Sequence, residues 1–297
     1  MIHFMKFKTQ YFLFSGIFLL IGIFSLIVWG LKPSIDFTGG ALLEVSFDDA
    51  QADIDVSGVS QTVSSIENIG ANSVQFIKDN RNYVIRTNSI GENQKNEILT
   101  ALEAKYSKPE EIKFETVGPT LGKELLVKTA IAIAIAAILI LFYVAYQFKD
   151  KWYGLAAILA MFHDSIILVG AFALLGKLFN VEVDTLFVTA LLTTLSFSVH
   201  DTIVVFDRIR ELLRLRPSAK LEDVINEAVT ETLSRSLNNS MTIIFMLTAL
   251  ALLGGSTIKW FVVALLIGTI SGTYSSTFTA APLLLILDKW KSKSKAK

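Results

Sequence analysis

Six long apolar segments, separated by polar stretches, dominate the pattern of this chain. They lie at 11–31, 125–147, 152–175, 185–206, 238–255 and 260–287. A helix needs about 20 mostly apolar residues to cross a bilayer, so each segment predicts a transmembrane helix. The first apolar run is also longer than the roughly 7–15 residues of a signal-peptide core, and we therefore interpret it as a membrane anchor.

The polar stretch between the first two apolar segments, residues 32–123, has the pattern of a small folded domain. Alternating residues predict strands at 41–47, 72–78, 82–87 and 111–117, and helical spacing predicts helices at 59–70 and 92–106. The resulting order βαββαβ is that of a ferredoxin-like domain. We therefore predict a polytopic α-helical membrane protein, with six transmembrane helices and a ferredoxin-like α+β domain between helices 1 and 2.

A second polar stretch, residues 207–237, follows the fourth apolar segment. Pro217 ends the helix of that segment, and apolar residues then recur at helical spacing: Leu221, Val224, Ile225, Ala228 and Val229. This spacing predicts an amphipathic helix that lies against the membrane face and runs directly into the fifth span.

Basic residues near the ends of the spans predict the orientation of the chain. If the spans alternate, most of these residues fall on one side: Lys6, Lys8, Lys149, Lys151, Arg208, Arg210, Arg214, Arg216, Lys220 and the tail. The positive-inside rule places that side in the cytoplasm, together with both termini. The predicted organisation is 1–10 cytoplasmic N-terminus, 11–31 helix 1, 32–123 extracytoplasmic domain, 124–206 helices 2–4, 207–237 cytoplasmic amphipathic segment, 238–287 helices 5–6 and 288–297 cytoplasmic basic tail.

Composition narrows the possible functions. The hydrophobic share is 52%, and 27 basic residues balance 27 acidic ones, so no overall charge favours nucleic acid. The chain contains no Cys, which excludes disulfides, thiolate metal sites, iron–sulfur clusters and a thiol nucleophile. H-E-x-x-H, phosphate-loop and G-x-S-x-G motifs are also absent from the sequence. We therefore expect no enzymatic activity and no cofactor.

The fourth span contains a charged residue, Asp201. Thr194, Ser198 and Asp201 follow at steps of four and three, so they share one helix face, and Arg208 lies two turns further on that face. An ionised aspartate within the bilayer costs about 2.5–3.5 kcal/mol on insertion scales, and such residues usually mark ion or proton pathways. The alternative is a carboxylate near the membrane border that Arg208 neutralises.

Arg235 is the natural counter-charge for Asp201. It opens the apolar run of the fifth span, which enters the membrane from the same side as the end of the fourth. If the two side chains meet, protonation of Asp201 would release the ion pair. The alternative is that Arg235 serves only as a cytoplasmic anchor.

Asp164 falls near the middle of the third span, beside His163. Its depth makes it either a proton relay or a residue that bonds helices together, and the sequence leaves both open. Two His-Asp pairs, His163/Asp164 and His200/Asp201, also suggest a metal site. Because adjacent positions on a helix diverge by about 100°, we disfavour that interpretation and predict no metal.

Small residues recur in steps of four along the sixth span, at Gly268, Gly272, Ser276 and Ala280. Such a series lets helix backbones approach closely, either within the chain or against a partner chain. Pro282 should bend the cytoplasmic end of this helix.

Several motifs together resemble a known family. They are PSIDFTGG at 33–40, VGPTLGKEL at 117–125, FHDSIILVG at 162–170, SVHDTIVVFDRIRE at 198–211 and ETLSRS at 231–236. In combination they resemble the SecD/SecF family of the bacterial Sec translocase, on its SecF side, which is similar to the RND transporter superfamily. The resemblance covers almost the whole chain.

The resemblance implies a function in protein export. Members of the family use the proton motive force to assist late translocation and release through the SecYEG channel, after SecA has driven the polypeptide in. The aspartate and arginine tied to proton use match Asp201 and Arg235, and Asp164, Arg208 and His200 are further candidates. The resemblance implies a multi-pass protein of the bacterial inner membrane with SecD as heterodimer partner, YajC as a further partner and no nucleic acid.

Within the motif at 33–40, Asp36, Phe37, Gly39 and Gly40 suit a tight junction between the first span and the first strand, because glycine permits backbone angles closed to other residues. We expect a structural role for these four residues.

Two departures from the family pattern leave alternatives open. His200 stands where Asn or a small polar residue is expected, and it could perturb Asp201 or titrate itself. The chain also carries one six-span half, which implies a separate SecD chain. The alternatives are an RND-type exporter of small solutes or lipids, built as a homodimer, and an assembly factor of the translocon that transports nothing.

Overall fold

The computed structural model describes residues 3–47, 55–67, 69–77, 82–148 and 150–295. The chain divides into two compact units, a membrane unit of residues 1–32 and 131–297 and an outer unit of residues 33–130. Lys149, part of the orientation analysis, and residues 79–81 of the turn predicted between the second and third strands lie outside the described residues.

The elements follow in chain order, with a 3₁₀ turn at Phe4–Phe7 before α1 and a π-helical turn at Ser276–Ala280 between the last two helices. They are α1 (Lys8–Val28), α2 (Ile35–Thr38), β1 (Gly40–Phe47), α3 (Val56–Ser64), β2 (Ala71–Ile77), β3 (Asn82–Thr87), α4 (Glu92–Lys105), β4 (Pro109–Val117), α5 (Pro119–Gln147), α6 (Lys151–Phe179), α7 (Thr185–Leu215), α8 (Leu221–Leu253), α9 (Ser256–Ser275) and α10 (Ala281–Lys295).

The six predicted spans are confirmed as helices that are long and apolar enough to cross a membrane. Helices α1, α5, α6, α7 and α8 supply five of them, and α9 and α10 together supply the sixth over Thr257–Trp290. The predicted helix runs directly into the fifth span as expected, because α8 continues without a break from Leu221 to Leu253 and buries Val224, Ile225, Ala228 and Val229. Its position against the membrane face stays a prediction.

The core of the membrane unit lies where α6, α7, α8 and α10 converge. Small residues of α6 are fully buried there, including Ala156 and Ala160, beside Phe206 of α7 and Ile225 of α8. Helix α5 differs from the others, because no residue in its most apolar window is buried within the chain. The apolar surface of this part of α5 is therefore available to lipid or to another membrane protein.

The sixth span changes its winding near Pro282. Proline has no N–H, so it cannot donate the helical bond to the carbonyl four residues earlier. The π-helical turn at Ser276–Ala280 lies just before it, and the helix then continues as α10. The span is therefore widened by a single π-helical turn just before the proline, which is the usual form of a π-bulge.

The outer unit is a four-stranded antiparallel sheet in the order β2-β3-β1-β4 with two helices. This is the arrangement of two split βαβ units and agrees with the predicted βαββαβ order. One face of the sheet packs on α3 and α4 through Leu43, Val45, Ile85, Ile98 and Leu102. The helix predicted at 59–70 was wrong in its bounds, because Asp55 caps the helix through the Ser57 amide and α3 begins at Val56.

The motif at 33–40 packs against the start of α5. Gly39 and Gly40 have positive φ angles of 73° and 128°, which favour glycine. A Cβ on Gly39 would lie 2.7 Å from Pro119 Cα, and a Cβ on Gly122 would lie 2.7 Å from Gly39 N. Phe37 is buried, and the Asp36 amide donates to Ser34 Oγ at 3.2 Å. Two sequence motifs that lie about 80 residues apart thus form one close-packed junction, consistent with the structural role expected for the first.

Candidate functional site

Asp164 lies near the middle of α6 and is only 3% exposed. Its Oδ2 accepts hydrogen bonds from Ser198 Oγ of α7 and Ser275 Oγ of α9, each at 2.6 Å. Its Oδ1 accepts one from Ser271 Oγ of α9, also at 2.6 Å, and lies 3.0 Å from His163 Nδ1. We call these five residues the Asp164 cluster.

The cluster joins three membrane helices through one carboxylate. Ser271 and Ser275 are one helical turn apart and therefore present their hydroxyls from the same face of α9. A carboxylate offers about four acceptor positions, and three hydroxyls and one imidazole nitrogen lie at those of Asp164. The geometry agrees with the helix-bonding interpretation of Asp164, and its role as a relay stays a prediction.

His163 is buried beside this carboxylate. Its Nδ1 lies 3.0 Å from Asp164 Oδ1, although the side chains of adjacent helix residues leave the helix in different directions. The other ring nitrogen, Nε2, is buried and has no hydrogen-bond partner in the part of the chain that the structure describes. Among those residues, no group of three or more His, Asp or Glu side chains is placed to hold a metal ion.

Asp201 is partly buried on α7, where it meets α8. Its Oδ2 accepts a hydrogen bond from Ser236 Oγ at 3.1 Å. The carboxylate borders a small cavity between α7, α8 and α9, which is lined by Phe197, Asp201, Asn239, Ser240, Ile243, Thr269, Gly272 and Thr273. Thr273 Oγ1 donates to Ser240 Oγ at 2.7 Å across this lining. The cavity therefore offers several hydroxyl groups next to a carboxylate within the membrane unit.

The predicted pairing of Asp201 with Arg235 is not present. Successive residues on a helix point about 100° apart, so when Ser236 faces Asp201, Arg235 turns outward and its side chain is exposed. Arg208 does not neutralise Asp201 either, because it pairs with Glu211 at 2.6 Å and with Glu231. His200, next to Asp201 in the chain, is exposed on the outer side of α7.

The series of small residues on the sixth span packs within the chain. A Cβ on Gly268 would lie 2.0 Å from Thr194 Cγ2, and one on Gly272 would lie 3.4 Å from Ser198 Cα. Ser276 and Ala280 are fully buried. The series therefore lets α9 lie directly on α7, which decides between the two alternatives left open by the sequence.

Sequence reasoning missed several residues of this region. Ser271 and Ser275 are spaced by four in a hydroxyl-rich segment, which is a weak signal for one polar face. Ser236 carried no signal beyond its place beside Arg235. The close contact of Gly22 on α1 with Gly170 on α6 was also missed, because each glycine is isolated in its own span.

The fold and these sites define a class of protein: a multi-pass membrane protein whose helix bundle holds carboxylates in a polar interior, with an α+β domain inserted after its first helix. Residues 97–290 match the family described as "Protein export membrane protein SecD/SecF, C-terminal". Residues 24–51 match the family described as "SecD/SecF GG Motif". The chain belongs to the SecD/SecF family.

Individual relatives agree with this assignment. The chain is 41% identical to protein translocase subunit SecF of Thermobaculum terrenum, with 99% of this chain and 95% of that protein covered. It is 37% identical to the subunit of the same name from a Synechocystis species, with 97% and 94% covered.

Solved structures show the same fold. The crystal structure of SecDF from Thermus thermophilus, a translocon-associated membrane protein, matches with a TM-score of 0.84 at 30% identity and covers 98% of this chain. SecDF in a super-membrane-facing form matches with a TM-score of 0.70 at 29% identity and covers 99%. In both comparisons the chain spans 39% of the SecDF chain.

Proposed function

We propose that this chain is the SecF-type subunit of a protein translocase and that it works with a SecD-type chain. Together they would use the proton motive force to assist late steps of translocation and release through the SecYEG channel. Membership of the SecD/SecF family supports the first part, since curated relatives of nearly the same length are translocase subunits. The proton gradient, and no bound cofactor, is the proposed energy source.

One observation carries the proposal of proton coupling: Asp201 lies within a membrane helix beside a hydroxyl-lined cavity. An ionised carboxylate is costly to place in a membrane helix, and the few that occur there usually mark ion or proton pathways. One elementary charge that crosses 100 mV releases about 2.3 kcal/mol. That energy shifts a two-state equilibrium by about fiftyfold, enough to bias a conformational change.

Exposed polar residues in the membrane helices support the need for a partner chain. On α7 and α8 these residues include Ser196, His200, Arg235, Asn238 and Asn239. Lipid cannot hydrogen-bond such groups, so a polar surface within a bundle requires another membrane protein or water. We propose a SecD-type chain as the protein that covers this surface and faces Arg235.

The remaining assignments follow from the same proposal. The basic residues at the helix ends favour an inner-membrane protein with both termini in the cytoplasm. The outer unit would then face the emerging polypeptide on the opposite side. SecA, SecYEG and YajC are the further partners of the proposed assembly.

The test compares wild type with Asp201→Asn in a gradient-dependent export assay, with the SecD-type chain co-expressed. Asn keeps the size and the hydrogen-bonding oxygen but cannot ionise. We expect export to fall to the level of a deletion while the complex still assembles at equal membrane levels.

Asp207→Asn is the matched control. It makes the same change on the same helix, at an exposed carboxylate that pairs with Arg210 at 3.2 Å. We expect wild-type export from this variant. Full export from Asp201→Asn would overturn the proposed role of Asp201 and favour an assembly factor.

A further inference from the structure

Three helices wall the cavity beside Asp201, and two of them meet the Asp164 cluster. Helix α7 contributes Phe197 to the cavity and α9 contributes Gly272. Their chain neighbours Ser198 and Ser271 donate to Asp164. The hydrogen bonds to Asp164 therefore attach to α7 and α9 at the level of the cavity.

Helices α7 and α9 pack closely on each other, and both also donate hydrogen bonds to Asp164. The Thr194 side chain fills the space beside Gly268, where an added Cβ would lie 2.0 Å from Thr194 Cγ2, and Ser198 Cα would lie 3.4 Å from a Cβ on Gly272. In a membrane the hydrophobic effect does not drive helices together, so hydrogen bonds and close packing hold them. The three serine hydroxyls on Asp164 are the polar links at this seam.

Asp164 itself does not border the cavity, whose lining comes from α7, α8 and α9. It lies on α6 and is almost completely buried. Its hydrogen bonds to Ser198, Ser271 and Ser275 link it to two of the helices that wall the cavity.

We propose that Asp164 is a positioning residue, which holds α7 and α9 together so that the cavity beside Asp201 stays narrow. The functional value of this role rests on the proposed function, in which Asp201 takes up the proton. The positional role itself is independent of what Asp201 does, and it can be measured separately.

The experiment uses single cysteines, since the chain has none of its own. Ile243→Cys places a thiol in the cavity lining, and Phe245→Cys, on the same helix with a 65% exposed side chain, is the control site. The rate of labelling by N-ethylmaleimide is measured in membranes that hold the full chain and its SecD-type partner. Each reporter is combined with Asp164→Ala, Asp164→Asn or the double change Ser271→Ala/Ser275→Ala.

The expected effect is graded by the number of hydrogen bonds lost. Each interhelical hydrogen bond in a membrane shifts such an equilibrium by about threefold. The double serine variant, which loses two bonds, should label at residue 243 about tenfold faster, and Asp164→Ala, which loses three, about thirtyfold faster. Labelling at residue 245 should not change.

Asp164→Asn is the conservative variant. Its amide keeps an oxygen acceptor and can donate to serine oxygens, so we expect labelling within about threefold of wild type, the equivalent of one lost bond. We also expect most of the export activity to remain.

Two results would overturn the proposal. One is an unchanged labelling rate at residue 243 in Asp164→Ala or, if that variant does not accumulate, in the double serine variant. The other is Asp164→Asn with wild-type labelling but no export, because the carboxylate would then carry the proton itself. Full export from Asp201→Asn would refute the proposed function alone, since the labelling result does not depend on it.

Discussion

Replacing Gly170 with alanine tests a contact in which α6 meets α1 backbone to backbone. A Cβ on Gly170 would lie 2.3 Å from Gly22 Cα and 2.7 Å from the Gly22 carbonyl atoms, whereas ordinary contacts of a Cβ begin at 3.4 Å. The obstructing atoms belong to the main chain, so no side chain can rotate to make room. The two helices must therefore separate by about 1 Å.

The size of the effect follows from this overlap. Inserting one methyl group into a closely packed site typically lowers the free energy of unfolding by about 1–3 kcal/mol. At about 2–4 °C for each kcal/mol, this steric cost alone should lower the apparent melting temperature by about 2–12 °C. Alanine also favours a helix over glycine by about 1 kcal/mol, which offsets part of this loss.

The assay is thermal denaturation of the purified chain in detergent, followed by tryptophan fluorescence. The control is Gly16→Ala, which makes the same change on α1 at a position where, among the described residues, no atom beyond the adjoining helix backbone lies within 4 Å of the added Cβ. Because both variants gain the same helix propensity, their difference isolates the steric cost. Equal melting temperatures for the two variants would refute the close contact of α1 with α6.

Two further predictions concern the outer unit, and both are read out by protease resistance of residues 33–130 in the full chain. Gly39→Ala should make this unit more sensitive to protease, because Gly39 has a positive φ and an added Cβ would lie 2.7 Å from Pro119 Cα. Gly118→Ala is the control, since the space around Gly118 is open, and it should not change the sensitivity. Equal sensitivity of the two variants would show that alanine at residue 39 is not strained. Hydrogen bonds to Glu92 and Glu111 raise the pKa of Lys95 above its ordinary value. Its stabilising effect is therefore complete below the unfolded-state pKa of about 10.4 and is lost as the pH rises through the higher folded-state pKa. Lys95→Met should weaken the loss of resistance at alkaline pH, and an unchanged pH profile would show that the lysine does not contribute.

The predicted elements that the structure confirms depend on local patterns. The six spans follow from the length of the apolar runs, and the outer strands follow from alternation over a few residues. Helix α3 shows the limit of this reasoning, because its start is fixed by the cap at Asp55 and not by the later apolar spacing that suggested residue 59.

The site could be predicted only in part. Sequence analysis found both carboxylates, since a charge inside an apolar run is visible without any structure. It paired Asp201 with Arg235 because opposite charges attract, whereas the turn of α8 presents Ser236 to Asp201 and directs Arg235 outward. The proton-coupling roles of Asp201 and Arg235 stay predictions.

By itself the sequence determined which segments cross the membrane, the order of elements in the outer unit and the small residues that allow α9 to approach a neighbour. Hydrophobicity, strand alternation and residue size are properties of short segments, so they can be read locally. Only the tertiary structure decided that the neighbour is α7 and that Ser198, Ser271 and Ser275 meet on Asp164, up to 111 residues apart in the chain. The same holds for Gly22 and Gly170, because a contact between distant residues depends on the rotation and depth of whole helices, which local patterns do not specify.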